Sequence, residues 1–194
     1  MESRIKQVTA RVIHQIWTDR QPNKAVLAAL RNSRNMMNKN ASVVWPLMLS
    51  NLTEEELSHN GQPTYAENAI FAALRCFAIY QQANDHLTYE PDGENQQGQQ
   101  LFKVLSTLRA DESIKKALDR RVQTILGNGN SSSVIYAIYH LVSILKANVG
   151  SELIDFAQLA QDLYYFQLSA DSSRQVCLKW GQQYYWNSKK TTEK

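Results

Sequence analysis

The sequence predicts an all-α protein, two packed helical lobes (helical bundles) in one chain, and three observations carry that prediction. Apolar residues recur at three- and four-residue steps almost from end to end, the period of an amphipathic helix. Pro, Gly, Asn and Ser fall between the apolar stretches, where helices open and close. No alternating apolar–polar run competes with the helical pattern. The 194 residues suffice for one large domain or two small lobes sharing a core. Apolar residues make up 43%, enough for a packed interior, and the 20% of charged residues argues against disorder.

Ile5, Val8, Val12, Ile16 and Trp17 form the first stripe. Pro22 is expected to open a second helix through Val26, Leu27 and Leu30, because proline suits a first turn. Residues 35–40 read as a loop. Trp45-Pro46 starts a short helix through Leu47, Leu49 and Leu52. Pro63-Thr64 opens the strongest helix, with Ala66, Ala69, Ile70, Ala73, Leu74, Phe77 and Ala78 on a wide apolar face. Its small residues allow close helix packing. Residues 89–98 hold Pro, two Gly, Asn and Gln, and are expected to be an exposed connector. They divide an N-terminal lobe, about 1–88, from a C-terminal lobe, about 99–186.

Leu101, Phe102, Leu105 and Leu108 resume the pattern. A helix from Glu112 and Ile114 runs through Leu118, Val122, Ile125 and Leu126, and is ended by Gly127 and its neighbours. Ser131 to Ser133 are expected to cap the next, which carries Ile135, Ile138, Tyr139, Val142 and Leu145. Ser151 or a neighbour caps another through Ile154, Leu159 and Leu163. Asp171 and Ser172 cap the last, through Val176, Trp180 and Tyr184. Residues 187–194 are polar and expected to fray.

No apolar run approaches the length of a membrane span, and the N-terminus lacks the apolar segment of a signal peptide. The expectation is a soluble cytoplasmic protein. Cys76 and Cys177 read as two buried free thiols rather than a disulfide. The net charge of +3 hides an asymmetry. Residues 1–40 carry net +6, 51–100 net −7 and 101–150 net +4, while 151–194 balance. Two basic segments flank an acidic one. Brought together they would attract a phosphate backbone; kept apart they would be a solvated mosaic.

Reactive clusters are missing. His14, His59, His86 and His140 show no pairing at ligand spacing, and with two distant cysteines zinc has no support. The glycines at 127 and 129 precede no Lys-Ser/Thr, so they terminate a helix rather than cradle phosphate. Glu54, Glu55 and Glu56 could bind magnesium or run acid–base chemistry. The plainer reading has Asn51 or Thr53 capping a helix, with the acids at its positive end. No cofactor is expected.

The cations carry more. Arg31 and Arg34, three apart, are expected on one helix face, with Lys39 following in the loop. Lys115, Lys116, Arg120 and Arg121 share one helix, and one arginine of the adjacent pair is expected at the core boundary, where guanidinium meets carboxylate or phosphate. Lys103, Arg109, Lys146, Arg174 and Lys179 add positive points. Tyr164, Tyr165, Phe166, Trp180, Tyr184, Tyr185 and Trp186 cluster near the end. Bases stack on such rings, but at helical spacing core packing is favoured, least so for Tyr185 and Trp186.

The ordered series of motifs resembles the CasB family, the small subunit of the type I-E CRISPR complex Cascade. Trp45-Pro46-Leu47-Met48-Leu49 is similar to its early Trp-Pro segment, and Glu67 to Tyr80, with Ala72-Ala73-Leu74-Arg75, to its long central helix. Asp119-Arg120-Arg121 is similar to its acidic-Arg-Arg helix. Ile154-Asp155-Phe156 with Leu159-Ala160-Gln161-Asp162-Leu163-Tyr164 resembles the penultimate helix, and Leu178-Lys179-Trp180-Gly181 with Tyr184-Tyr185 the last. The resemblance spans nearly the whole chain.

It implies two helical lobes, no enzymatic activity, and two copies along the belly of the complex. There the family forms a basic path for the target strand and the displaced strand of the R-loop. Guide-RNA pairing reads sequence, so the protein need only hold backbone. The partners implied are the other Cascade subunits with guide RNA, both DNA strands and a second copy, with no membrane. Carried over by position, Arg120 and Arg121 lie in a matched motif. Arg31 and Arg34 match the basic end of the family's second helix, and Lys179 precedes the matched Trp-Gly. One departure stands out. The helix before the penultimate one often carries arginines in the family; here it offers Tyr139-His140-Leu141 and Lys146, which implies weaker grip or pH sensitivity.

The nucleic-acid-binding set is therefore Arg31, Arg34, Lys39, Lys103, Lys116, Arg120, Arg121, Lys146 and Lys179, with no catalytic or metal-binding residue. A pure protein–protein assembly module with solvated cations is the alternative, and a helical enzyme built on Glu54 to Glu56 the third reading.

Overall fold

The computed structural model describes residues 4–18 and 21–186. The expected frayed tail, 187–194, lies outside them. The described residues form helices α1 (Arg4–Ile16), α2 (Lys24–Asn32), α3 (Trp45–Leu49), α4 (Tyr65–Gln81), α5 (Leu101–Thr107), α6 (Glu112–Leu126), α7 (Ser131–Asn148), α8 (Phe156–Leu168) and α9 (Ala170–Tyr185), with three short 3-10 turns. The all-α expectation holds. The exception is one antiparallel pair, β1 (Trp17–Thr18) with β2 (Gln21–Pro22), too short for any period-two pattern to register.

Helix α4 lies at the centre because it is apolar nearly all round. Phe71, Ala73, Leu74, Cys76, Phe77, Ala78 and Tyr80 are all buried, and such a helix is stable only when surrounded. The threonine anticipated at its start closes a reciprocal capping box. Thr64 Oγ1 accepts from the Glu67 amide at 3.1 Å, and Glu67 Oε2 accepts from the Thr64 amide at 2.7 Å. Helices α1, α2 and α3 gather on α4, while α5 and α6 both pack on α9. The α4–α8 contact joins the two groups, and α7 touches α4, α6 and α8. One hydrophobic cluster runs from Ile5 to Tyr184.

Several helix starts differ from expectation by a few residues, each for an identifiable reason. Pro22 belongs to β2, and Asn23 caps α2 by accepting from the Val26 amide at 3.1 Å. Asn130 rather than a serine caps α7, and Ser169 rather than Asp171 or Ser172 caps α9. Asp155 caps α8. That leaves Ile154 outside the helix, where its backbone bridges Tyr89 and Gln99. Asn, Asp and Ser all accept well at an N-cap, so the choice among neighbours falls to packing. A 3-10 turn, Lys39–Val43, begins inside the loop expected over residues 35–40 and runs past its end.

Residues 89–98 contain no helix, but both ends are buried. Tyr89 is 3% exposed. Gly98 sits so close to residue 90 that a Cβ there would lie 1.9 Å from the Glu90 carbonyl oxygen, which only glycine permits.

Candidate nucleic-acid interface

Cations divide by whether a carboxylate neutralises them. Arg4 pairs with Glu56 at 3.0 Å, Lys6 with Asp155 at 3.0 Å, Arg109 with Asp119 at 2.9 Å, Lys115 with Glu112 at 2.7 Å and Lys179 with Asp162 at 2.8 Å. Lys179 is thus the one member of the candidate set held by an acid among the described residues. Arg31, Arg34, Lys39, Lys103, Lys116, Arg120, Arg121 and Lys146 carry no ion pair among those residues.

Part of that unpaired set converges. Helix α2 ends at Asn32, with Ser33 as its C-cap, so Arg34 lies beyond the helix and does not share a helical face with Arg31, as the spacing suggested. The fold nevertheless brings Arg31 to α4 and Arg34 to α4 and α7. Arg31 Nη1 donates to the Ala78 carbonyl at 3.4 Å. The Arg34 guanidinium lies over the Tyr136 ring, 4.7 Å from its centroid. Tyr136 is 44% exposed and meets the His140 ring edge-on at 4.6 Å. His140 and Arg121 line a groove between α6 and α7 with Thr124, Ser143, Ile144 and Asn148. Arg34, Tyr136 and His140 are thus in contact in series, His140 and Arg121 line one groove, and no carboxylate is among the described residues that line it.

On α6, Leu118, Val122 and Ile125 take the core-facing positions. The expectation that one of Arg120 and Arg121 sits at the core boundary fails: both are exposed. Successive helical residues diverge by about 100°, so the pair separates. Arg121 turns to the α7 groove, its Nη1 donating to the Ala117 carbonyl at 3.3 Å. Arg120 lines a shallow outer groove with Lys116, Lys115, Glu112, Asp119 and Gln123. Lys146 is half-buried, its ammonium 5.9 Å from the centroid of Tyr80, and burial pushes its pKa down. Lys39 and Lys103 are exposed, and no described contact joins them to the rest.

Sequence reasoning omitted Arg75. Its guanidinium lies over Tyr139 at 4.1 Å, and Nη1 donates to the Arg34 carbonyl at 3.0 Å. Its one sequence signal is a cation set in an apolar stretch, Ala72 to Phe77.

The aromatic cluster belongs mainly to the core. Trp180 stacks on Phe102 at 4.7 Å and on Phe166 at 6.0 Å, and its Nε1 donates to the buried carboxylate of Asp162 at 2.9 Å. Tyr184 donates to Asp119 at 2.7 Å. The exposed members are Tyr165, Tyr185 and Trp186.

Glu54–Glu56 form a 3-10 turn in which Glu56 accepts from the Thr53 amide at 2.8 Å and pairs with Arg4. Thr53, one of the two caps expected, is the N-cap, but of a single 3-10 turn rather than a helix. No His, Cys, Asp and Glu cluster of metal-binding geometry occurs among the described residues, and no described helix is long and apolar enough to cross a membrane. Both cysteines are free and buried, and burial pushes both thiols up.

Residues 26–185 match the family model described as CRISPR-associated protein Cse2. The fold is similar to the crystal structure of CasB from Thermobifida fusca, with a TM-score of 0.68 over 95% of this chain and 99% of that one. Identity is 20%, so this likeness concerns the fold alone. No curated protein matches the sequence.

Proposed function

The chain belongs to the CRISPR-associated Cse2 family, and on that premise we propose that it is the non-catalytic small subunit of a type I-E Cascade complex, holding the backbone of target and displaced DNA strands to stabilise the R-loop in cytoplasmic antiviral defence. One observation carries the reading: Arg34, Tyr136 and His140 stand in contact, Arg121 lines the same groove as His140, and neither arginine has a carboxylate partner among the described residues. Cations already neutralised, such as Arg109 and Lys179, have little left to offer a phosphate. Unpaired ones gain from every counterion their binding releases. Sequence is read by the guide RNA, so no base-specific contact is required.

Lys116 and Arg120 extend the hold along the outer face of α6, while Lys39, Lys103 and Lys146 are accessory. The lobe of about 1–88 supplies Arg31 and Arg34, and the lobe of about 99–186 supplies Arg120 and Arg121. The other Cascade subunits with guide RNA, and a second copy, meet the chain elsewhere. Exposed Tyr165, Leu168, Leu178 and Trp186 support a protein-contact role for α8 and α9.

The test is charge reversal, Arg120→Glu with Arg121→Glu, in a complex reconstituted with guide RNA. Lower R-loop stability at an unchanged unfolding temperature is expected. A complex that assembles and holds its R-loop equally well would remove the site and favour a pure assembly module.

A further inference from the structure

We infer that Arg75 is a positioning residue, which aims Arg34 at the nucleic-acid backbone without touching the backbone itself; this rests on the reading proposed above. Arg75 sits on α4 between Leu74 and Cys76, both fully buried. No carboxylate pairs with it among the described residues, and its buried Nε has no hydrogen-bond partner. The side chain is half-buried, its Nε inside and its Nη1 at the exposed edge, and the contacts it makes point one way. Its guanidinium lies over Tyr139, and Nη1 donates to the carbonyl of Arg34.

Arg34 needs such a tie. It follows the C-cap of α2 and precedes the 3-10 turn, in a stretch without helical hydrogen bonds. Its neighbour Ser33 returns to Leu30 by a long 3.4 Å bond. Farther on, the Trp45 indole holds the Met36 carbonyl at 3.2 Å. Between these points, Arg75 fixes the Arg34 backbone against α4, and the exposed guanidinium is delivered over Tyr136. Tyr136 and Tyr139 lie three apart on α7, so the two arginines rest on adjacent rings of one helix face. Arg75 is occupied by protein groups; Arg34 is free to meet a phosphate.

The experiment is a double-mutant cycle on the full chain. Binding to a labelled single-stranded thymidine oligonucleotide is measured across a salt series for wild type, Arg34→Met, Arg75→Met and both together. Each single change is expected to weaken binding roughly fivefold and to lower the salt slope by about 0.7, the share of one single-strand phosphate contact. The double variant is expected to match either single one. Losses that multiply would make Arg75 an independent contact and overturn the inference. So would wild-type affinity in Arg75→Met. Should that variant fail to fold, Arg75→Lys takes its place in the cycle. Its retained donor to the Arg34 carbonyl is expected to preserve binding, and a loss that persists in the Arg34→Met background overturns the inference. Salt-dependent binding by the wild type with an unaffected Arg75 variant removes this inference alone. Absence of salt-dependent binding removes the proposed function with it.

Discussion

Replacing Asp162 with alanine tests what holds the second group of helices together. Its carboxylate is buried and accepts from Trp180 Nε1 at 2.9 Å, Lys179 Nζ at 2.8 Å and Gln158 Nε2 at 2.8 Å. In Asp162→Ala the indole N–H, deep in the Phe102–Trp180–Phe166 stack, loses its acceptor, costing about 1–3 kcal/mol. The ion pair with Lys179, whose side chain is 37% exposed, adds about 1 kcal/mol at most. The sum is about 1–4 kcal/mol. At 194 residues this lowers Tm by roughly 2–15 °C. Asp162→Asn keeps an acceptor for the indole but sets an NH2 against the Lys179 and Gln158 donors, so it should cost less than Asp162→Ala but more than Lys179→Ala, which should cost about 1 kcal/mol or less. Thermal unfolding followed by circular dichroism gives the order. A Tm for Asp162→Ala within a degree of wild type, or a Lys179→Ala loss as large, would refute the reasoning. If Lys179 serves Asp162 rather than phosphate, Lys179→Ala also leaves the salt slope of DNA binding unchanged.

Gly98→Ala should destabilise by roughly 3 kcal/mol, since its Cβ would overlap the Glu90 carbonyl; a denaturant midpoint equal to wild type would contradict this. Ala83, just past the end of α4, has φ 61°, and Ala83→Gly should raise stability by about 1 kcal/mol, seen as a Tm gain of a few degrees. Burial raises the Asp119 pKa, but hydrogen bonds from Arg109 and Tyr184 outweigh it and leave the group below its ordinary 3.8. Its contribution is therefore full above the unfolded-state value and is lost as pH falls through the lower, folded one. Urea unfolding from neutral pH down through 3.8 should show Asp119→Asn with a shallower acid loss than wild type; parallel curves would count against the Asp119 role.

The helices were legible because their periodicity is long and consistent, and α4 because Thr64 and Glu67 stand three apart before an apolar run. The burial of Trp180 and Tyr184 followed from their four-residue spacing. Helix starts were less legible where Ser, Asn and Asp crowd together, as from Asn128 to Ser133. Sorting the cations was beyond reach. Lys179 meets an acid 17 positions back and Arg109 one 10 positions ahead, separations that no local rule connects. Arg34 and Tyr136 lie more than a hundred residues apart. Arg75 was hidden by its apolar surroundings, since its partners are a ring and a carbonyl rather than an acid.

The packing of α1 on α8 bears on how the chain is made. Lys6 reaches Asp155 and Gln158 across about 150 positions, and the apolar stripe of Ile5, Val8 and Val12 is buried partly by that late helix. At about 5–20 residues per second, roughly 8–30 seconds separate synthesis of the two. For that interval the side of the first helix that meets α8 stays uncovered. Apolar surface left open during synthesis is the kind that chaperones shield and that otherwise aggregates.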